Sequence, residues 1–356
     1  MHALKRFGTA FGGYKMMENY PVPECGPDDI ILEIKAAAIC GADMKHWGVD
    51  NGYDDTNITP DQQQSVRGHE FAGEIVKVGE NVKDWHIGQR VVSDNSAHVC
   101  GVCPACEQGD FLCCEHKVNL GLDNNTWGGG FSKYCKVPGE ILAIHKHAIW
   151  EIPEGIKYEE ACVLDPICNA YKAVAQQSHL IPGQDVVVFG TGPLGLFSVQ
   201  VAKLMGAVNI VMVGLDDDVK VRFGVAKELG ATHCVNGSKE DVVARCTEIC
   251  GRDNLGLVIE CSGANIALKQ AIEMTRPNAE IVRVGMGFKP LEFSINDITA
   301  WNKSIIGHMA YDSTSWRNCI RLLQSGQIKV QPMITHRLGL SQWQEGFDKM
   351  AKKEAI

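Results

Sequence analysis

Residues 186–206 read VVVFGTGPLGLFSVQVAKLMG: an apolar run, a glycine-rich turn and a segment with helical spacing. The turn has the form G-x-G-x-x-G and consists of Gly190, Thr191, Gly192, Pro193, Leu194 and Gly195. Between a strand and a helix, the first glycine permits a tight turn, the second admits a pyrophosphate, and the third allows close packing. The helix N-terminus then faces the phosphates. We predict a dinucleotide-binding loop here; a turn that merely joins two elements is the alternative.

The acid that contacts the adenosine ribose is expected about 20 residues beyond such a loop. Gly214 stands where that acid is usual, and three aspartates follow at positions 216–218. Three carboxylates would repel a 2′-phosphate, which favours NAD, with NADP as the alternative. A solvated acidic loop explains the aspartates equally well. Besides the loop residues 190, 192, 193, 194 and 195, the predicted cofactor contacts are Gly214, Asp216 and Arg222.

The segments around this loop alternate between two patterns. Apolar runs at 209–213, 257–260 and 280–284 are separated by helical spacing, as at 219–229. Such alternation is typical of a doubly wound parallel sheet. We therefore predict an α/β protein with a Rossmann domain at 154–297. Residues 1–153 contain strand-like stretches and turn glycines and are predicted to be mostly β, with 298–356 returning to them.

Composition limits the classes of function. The chain has 356 residues, a length that is typical of about two domains. Its formal charge is −9. The negative charge argues against nucleic acid or an anionic membrane as a partner. No apolar stretch follows the basic start, and glycines interrupt the longest uncharged run, Val186 to Ala202. We expect a cytoplasmic protein.

Five of the 15 cysteines lie close together between Cys100 and Cys114. Four have the spacing C-x2-C-x2-C-x7-C, on a loop of about residues 98–116: Cys100, Cys103, Cys106 and Cys114. Four thiolates on one loop can close a tetrahedral zinc shell that stabilises the loop and does no chemistry. Cys113 could replace Cys114, and a set of packed free thiols is the alternative. We predict a structural zinc.

A second group of possible metal ligands is spread along the first half of the chain. Cys40 and Asp43 follow an apolar strand, and His69 and Glu70 precede another. A catalytic zinc needs about three protein ligands and one exchangeable position. Asp43 could accept a hydrogen bond from the second nitrogen of His69. Asp165 lies in apolar sequence and would need a partner such as a metal. Taken singly, each residue also fits an ordinary core position.

Together these segments resemble the zinc-containing medium-chain alcohol dehydrogenases, in particular the sorbitol, threonine and sugar-alcohol branch. The segments that match are Cys40-Gly41-x-Asp43, Gly68-His69-Glu70, the four-cysteine loop, GGGFSKY at 128–134 and the Gly190 loop. The resemblance implies a GroES-like catalytic domain from 1–153 and 298–356, a Rossmann domain, two zinc ions per chain, and a homodimer or homotetramer. Related sequences continue beyond Ala355-Ile356 into a final strand, so we expect a truncated end.

The resemblance also implies roles for individual residues. It makes Cys40 and His69 zinc ligands and Glu70 a ligand or near-ligand. Asp165 takes the place of a longer glutamate, so its contact with zinc is direct or through water. Ala42 stands where the family has a hydroxyl that relays the proton of the alcohol. Lys45 stands where histidine is frequent, and His46 follows, so Lys45, His46 or water are the candidates for the proton route.

The implied activity is hydride transfer between a secondary alcohol, polyol or sugar-derived, and NAD(P). Five amide and aromatic residues could contact the substrate: Trp47, Asn95, Asn124, Asn125 and Trp127. Amides beside aromatic rings suit a polyol or the matching keto-sugar, and they suit a surface loop equally well. Three alternatives stay open. They are a threonine-type amino-alcohol dehydrogenase, a zinc lyase or epimerase with bound NAD, and a non-enzymatic nucleotide-binding regulator.

Overall fold

The computed structural model of the chain describes residues 1–7, 13–44, 47, 64–123, 126–287 and 289–356. They form two compact units. The first unit comprises Met1–Asp165, Asp312–Ile320 and His336–Lys352. The second comprises Pro166–Tyr311, Arg321–Thr335 and Lys353–Ile356.

The regular elements within the described residues are as follows. The strands are β1 (Ala3–Arg6), β2 (Tyr14–Met17), β3 (Ile30–Ala38), β4 (Glu70–Val78), β5 (Arg90–Ser93), β6 (Ser96–His98), β7 (Val118–Asn119), β8 (Tyr134–Val137), β9 (Ile149–Glu151), β10 (Asp185–Phe189), β11 (Ile210–Gly214), β12 (His233–Asn236), β13 (Leu255–Glu260), β14 (Glu280–Arg283) and β15 (Ser304–Gly307). The helices are α1 (Gly41–Met44), α2 (Pro104–Glu107), α3 (Gly139–Ile144), α4 (Tyr158–Ala161), α5 (Leu164–Tyr171), α6 (Pro193–Leu204), α7 (Arg222–Leu229), α8 (Val242–Cys250), α9 (Asn265–Met274), α10 (Asn296–Ala300), α11 (Ser313–Gln324) and α12 (Trp343–Ala351).

The first unit is built on an antiparallel sheet with the strand order β8-β3-β4-β5-β9. Its buried face carries aliphatic and aromatic side chains such as Leu32, Phe71 and Ile75, which form one core. The pairing of β3 with β4 joins Ala38 to Glu70. This register places the chain just after β3 beside the start of β4, where the predicted metal ligands lie.

The second unit contains a parallel sheet with the order β12-β11-β10-β13-β14-β15. The chain starts in the middle at β10, builds outward to β12, and then continues on the other side from β13. This is the 3-2-1-4-5-6 order of the doubly wound nucleotide-binding fold. Val187, Val211, Val258 and Ile281 from four neighbouring strands meet in its core. The predicted α/β class with a Rossmann sheet is confirmed.

Two details differ from the sequence pattern. The helix expected at 219–229 begins only at Arg222, because Asp216–Asp218 forms a 3₁₀ turn in which Asp218 accepts a hydrogen bond from the Leu215 amide. Residues 298–311, 321–335 and 353–356 lie in the second unit and residues 154–165 in the first, whereas the pattern grouped 298–356 with the first unit and 154–297 with the second. For 298–311 the cause is the pairing of the edge strand, since β15 pairs in parallel with β14.

The described part of the chain has no helix with the length and apolar character needed to span a bilayer. The uncharged run at 186–202 is divided between β10, the glycine turn and α6.

Candidate metal and nucleotide sites

The first candidate site lies where β3 ends and β4 begins. Cys40 follows β3 directly and precedes the single turn of α1, while Glu70 opens β4. Gly68 precedes His69 with φ +90°, and a Cβ there would lie 2.7 Å from the backbone nitrogen of Phe131. Only glycine fits this position, so the turn that presents His69 depends on it.

Cys40, His69 and Glu70 each offer a ligand atom, and these atoms all lie within 4.8 Å of one another. Removal from water raises the pKa of the Cys40 thiol and of the Glu70 carboxyl well above their ordinary values, and nearby carboxylates add to both shifts. Packing anions together out of water is unfavourable unless a cation offsets them. A thiolate, an imidazole and a carboxylate are also the donors that zinc prefers. These residues therefore fit a zinc ion.

Asp43 lies behind this group and is fully buried. Its Oδ2 accepts a hydrogen bond from the Cys40 amide at 3.1 Å, and its Oδ1 lies 3.9 Å from Nδ1 of His69. Neither that oxygen nor that nitrogen has a hydrogen-bond partner within the described residues. Arg67, also buried, approaches the same oxygen at 3.5 Å through Nη2. Sequence reasoning missed Arg67, because an arginine before Gly68 carries no signal of its own.

Asp165 lies in the first turn of α5 and stays outside the group of three ligand atoms. Its Oδ2 accepts a hydrogen bond from Nδ2 of Asn95 at 3.0 Å. It is close enough that its charge contributes most among the neighbouring charges to the raised pKa of Glu70. Lys45 and His46, predicted for the proton route, lie outside the described residues.

The aromatic and amide side chains considered for the substrate are placed as follows. Trp47 packs against Trp343 and Phe347 and donates a hydrogen bond to Asp348 at 3.3 Å. Trp127 packs against the core of the first unit. Asn95 is buried against Asp165. Asn124 and Asn125 lie outside the described residues.

The second candidate metal site is the cysteine loop. The ligand atoms of Cys100, Cys103, Cys106 and Cys114 lie within 4.8 Å of one another, and the four residues are thiols rather than disulfides. The backbone amides of Cys100 and His116 both donate to the Cys114 sulfur, at 3.3 and 3.4 Å. A hydrogen bond from the Cys106 amide lowers the pKa of Cys103, which favours its thiolate, while burial and the neighbouring thiols raise the pKa of Cys106.

This loop matches a closed four-thiolate metal shell, in which amide donors commonly face the sulfurs. Cys113, the competing cysteine, is exposed at the end of a 3₁₀ turn and stays outside the group.

The glycine-rich loop joins β10 to α6. Gly190 has φ +94°, Gly192 caps the helix, and Pro193 occupies its first turn. Leu194 follows inside the helix. A Cβ at Gly195 would lie only 1.8 Å from the carbonyl oxygen of Gly190, while a Cβ at Gly192 would meet nothing within 4 Å. The third glycine therefore permits close packing, and the second leaves open space in front of the helix.

The three residues predicted to contact the adenosine end of the cofactor lie in different environments. A side chain at Gly214 would meet the Thr191 methyl at 2.6 Å, so no acid fits there. Asp216 is about half exposed and pairs with Lys239 at 3.2 Å. Arg222 donates two hydrogen bonds to the Ala355 carbonyl, at 3.3 and 2.8 Å, so its guanidinium contacts the C-terminal segment.

The family model for the alcohol dehydrogenase GroES-like domain matches residues 26–147, and that for zinc-binding dehydrogenases matches residues 193–325. The chain is 78% identical over 356 residues to the zinc-type alcohol dehydrogenase-like protein YdjL of Escherichia coli strain K12, covering 100% of this chain and 97% of that protein. A sorbitol dehydrogenase of Halalkalibacterium halodurans is 29% identical, covering 100% of this chain and 98% of that protein.

An L-threonine 3-dehydrogenase of Rhizobium rhizogenes is 32% identical, covering 94% of this chain and 91% of that protein. Among solved structures, 2R,3R-butanediol dehydrogenase of Bacillus subtilis superposes with a TM-score of 0.83 at 29% identity, covering 99% of this chain and 97% of that one. A protein of Sinorhizobium meliloti 1021 described as a zinc-binding dehydrogenase bound to NADP gives 0.82 at 27% identity, covering 97% and 94%.

Proposed function

This chain belongs to the zinc-dependent medium-chain alcohol dehydrogenases, and from that premise we propose that it transfers hydride between a polyol or sugar-derived secondary alcohol and NAD. One observation supports this most strongly. Cys40, His69 and Glu70 present a thiol, an imidazole and a carboxyl within 4.8 Å of one another, at the junction of β3 and β4. The same chain carries a dinucleotide-type loop after β10.

We propose Cys40, His69 and Glu70 as the ligands of a catalytic zinc and the four-cysteine loop as the holder of a structural zinc. A zinc ion at the first site supplies Lewis acidity toward the substrate oxygen, and NAD supplies the hydride acceptor. Asp43 supports this site by accepting the hydrogen bond from the Cys40 amide, whereas at 3.9 Å its other oxygen does not make the expected hydrogen bond to His69. Arg67 offsets the charge of Asp43, and Asp165 lies beside Glu70.

The proton of the alcohol needs a route that avoids residue 42. Ala42 lies in α1, two residues after Cys40, and its methyl group can neither accept nor donate a proton. We therefore propose Lys45, His46 or water for this step. The pH profile of the reaction distinguishes a protein group from water, because replacing the responsible side chain shifts the profile.

The cofactor preference for NAD is supported by the acidic turn Asp216–Asp218, which follows β11 directly. Negative charge there disfavours a 2′-phosphate. NADP is the alternative, since the similar Sinorhizobium protein was solved with NADP bound. Measuring the dissociation constants of NADH and NADPH decides between them.

The substrate class is supported by likeness to sorbitol and butanediol dehydrogenases, which are named for alcohols with several hydroxyl groups. Likeness to L-threonine 3-dehydrogenases supports the rival amino-alcohol function. A panel of polyols, sugar acids and L-threonine, assayed for NAD reduction, separates the two. Turnover with no change in nicotinamide absorbance would instead favour a lyase or epimerase.

We also propose a homodimer or homotetramer in the cytoplasm, with no nucleic acid or membrane partner. In the described part of the chain, the outer edge of β15 pairs with no strand. Ile305 on this strand and the nearby Trp301 are 37% and 51% exposed. Exposed apolar residues at an open sheet edge favour association with another copy. The thiols of the cysteine loop fit a reducing compartment.

The decisive experiment compares Cys40→Ala with Cys113→Ala. Cys113 is exposed and belongs to neither metal group, so it is the matched control. We expect Cys40→Ala to lose dehydrogenase activity and one of two zinc ions per chain while NADH still binds; Cys113→Ala should keep all three properties. Retained activity in Cys40→Ala would remove this site from the reaction. One zinc per wild-type chain would favour a regulator over an enzyme.

A further inference from the structure

Asn95 occupies an unusual backbone position close to the proposed catalytic metal group. It lies in the turn between β5 and β6 with φ +61°, a conformation that asparagine adopts more readily than most residues. The backbone N–H of Asn95 donates to the Ser93 hydroxyl at 3.0 Å, and its backbone carbonyl accepts from the Leu120 N–H at 2.6 Å. The backbone of this residue is therefore held from both sides.

The turn has a further anchor one residue earlier. The carboxylate of Asp94 contacts Nε2 of His145 at 2.5 Å, and both side chains are buried. Asp94 also accepts a hydrogen bond from the Ser96 amide at 2.9 Å. Phe111, from the cysteine loop, packs against the His145 ring in a tilted arrangement, with 4.2 Å between ring centres. These contacts leave Asn95 little freedom to move.

The side chain of Asn95 is directed at an acid. Its Nδ2 donates to Oδ2 of Asp165 at 3.0 Å, and the two residues are only 5% and 9% exposed. A hydrogen bond to a buried carboxylate is stronger than one between neutral groups and fixes the orientation of the acid. An aspartate at position 95 would set two carboxylates against each other instead.

We propose that Asn95 is a positioning residue whose amide holds the Asp165 carboxylate beside Glu70 and thereby tunes the Cys40–His69–Glu70 metal site. The inference rests on the proposed function of that site. Asn95 acts through Asp165 and does not itself touch the metal. Its effect must therefore vanish when Asp165 is absent.

The test is a double-mutant cycle with Asn95→Gly, Asp165→Ala and the two combined. Glycine tolerates the positive φ, so the backbone turn is preserved while the amide is lost. The readouts are the rate at which a chelator removes zinc, and the visible absorption spectrum of protein whose first site carries cobalt. The metal of the cysteine loop serves as an internal reference in each sample.

We expect Asn95→Gly to lose the first metal about 10- to 100-fold faster and to change the cobalt spectrum, since partners behind metal ligands typically have effects of this size. In the Asp165→Ala background, Asn95→Gly should add nothing. Asn95→Asp, which keeps the size of the side chain but replaces the donor, should lose metal at least as fast. Asn278→Gly is the control, because Asn278 is an exposed asparagine with φ +58° in the second unit.

Two results would overturn the proposal alone: an unchanged metal release rate in Asn95→Gly, or an equal acceleration with and without Asp165. If the wild-type chain held metal only in the cysteine loop, the proposed function would fail as well. The wild-type metal count therefore distinguishes the two failures.

Discussion

Glycine-to-alanine changes at Gly192 and Gly195 separate two roles of the nucleotide loop, and the same change at Gly224, in α7, is the control. At Gly195 the new Cβ would lie 1.8 Å from the Gly190 carbonyl oxygen, roughly 1.2 Å short of the 3.0 Å that real Cβ atoms respect. The atom it meets belongs to the backbone, so β10 and α6 would have to separate. At Gly192 and Gly224 a Cβ would meet nothing within 4 Å.

The expected magnitudes follow from these distances. Overpacking of a well-packed core costs about 1–3 kcal/mol, and a clash with backbone lies at the upper end. For a domain of roughly 150–250 residues, about 3 kcal/mol lowers Tm by about 6–12 °C. Gly195→Ala should therefore lower the free energy of unfolding by about 3 kcal/mol and Tm by about 6–12 °C. Gly224→Ala replaces an exposed helical glycine in α7 and should gain about 0.5–1 kcal/mol.

Gly192→Ala should behave differently from both. Its methyl group enters the open space before α6, so the fold keeps its Tm while the cofactor loses room for its pyrophosphate. A loss of about 1.4 kcal/mol or more in binding corresponds to a 10-fold or larger rise in the dissociation constant of NADH. Thermal unfolding and NADH fluorescence titration measure the two effects separately. A Gly195→Ala protein as stable as the wild type, or a Gly192→Ala protein that binds NADH normally, would refute this reasoning.

Three further predictions concern charge and space. Arg67→Met leaves Asp43 buried without its arginine partner, so the free energy of unfolding measured in urea should fall by about 3 kcal/mol or more. Arg67→Lys should lose less, because it keeps the positive charge. An Arg67→Met protein as stable as the wild type would contradict the pairing. Burial lowers the pKa of His308 from 6.5 to about 4, so between these values only the unfolded chain binds the proton. Stability should therefore decrease as the pH is lowered from 6.5 to about 4, by about 3 kcal/mol in all. His308→Gln should flatten that part of the stability profile, and an unchanged slope would show that other groups cause it. Gly214→Asp should lower Tm by about 4 °C or more, because its Cβ would lie 2.6 Å from the Thr191 methyl and 2.7 Å from the Phe223 ring; an unchanged Tm would show that the turn yields.

The sequence predicted best what depends on local order. The glycine loop needs only a strand before it and a helix after it, and both lie within 20 residues of Gly190. The spacing of Cys100, Cys103, Cys106 and Cys114 likewise keeps the four thiols on one loop, where they meet. The α/β class followed from the alternation of apolar runs and helical segments, each of which is a short-range pattern.

Contacts between distant segments were harder to predict. Asn95 and Asp165 are 70 positions apart, and their hydrogen bond depends on where β5 ends and α5 begins in space. The guanidinium of Arg222, a predicted cofactor contact, also bonds to the carbonyl of Ala355, 133 positions away. Neither pairing has a periodicity or spacing that a single sequence reveals. The edge strand β15 was grouped with the first unit although it pairs with β14, the strand before it in the chain, because its four residues are mostly exposed and form no long apolar run.

The charges around the first metal group explain why these distant residues matter. Cys40, Glu70, Asp43 and Asp165 bring three carboxyls and a thiol into one partly water-free region of the first unit, where like charges repel strongly. Arg67 approaches Asp43 and Asn95 donates to Asp165, so each outer acid has its own partner. Burial and the Glu70 carboxyl raise the pKa of Cys40, while burial and the Asp165 charge raise the pKa of Glu70. His69 lies beside them, and its Nδ1 makes no hydrogen bond within the described residues. The outer acids are thus stabilised by the protein itself, whereas the inner pair lacks such a partner and fits the cation proposed for this site.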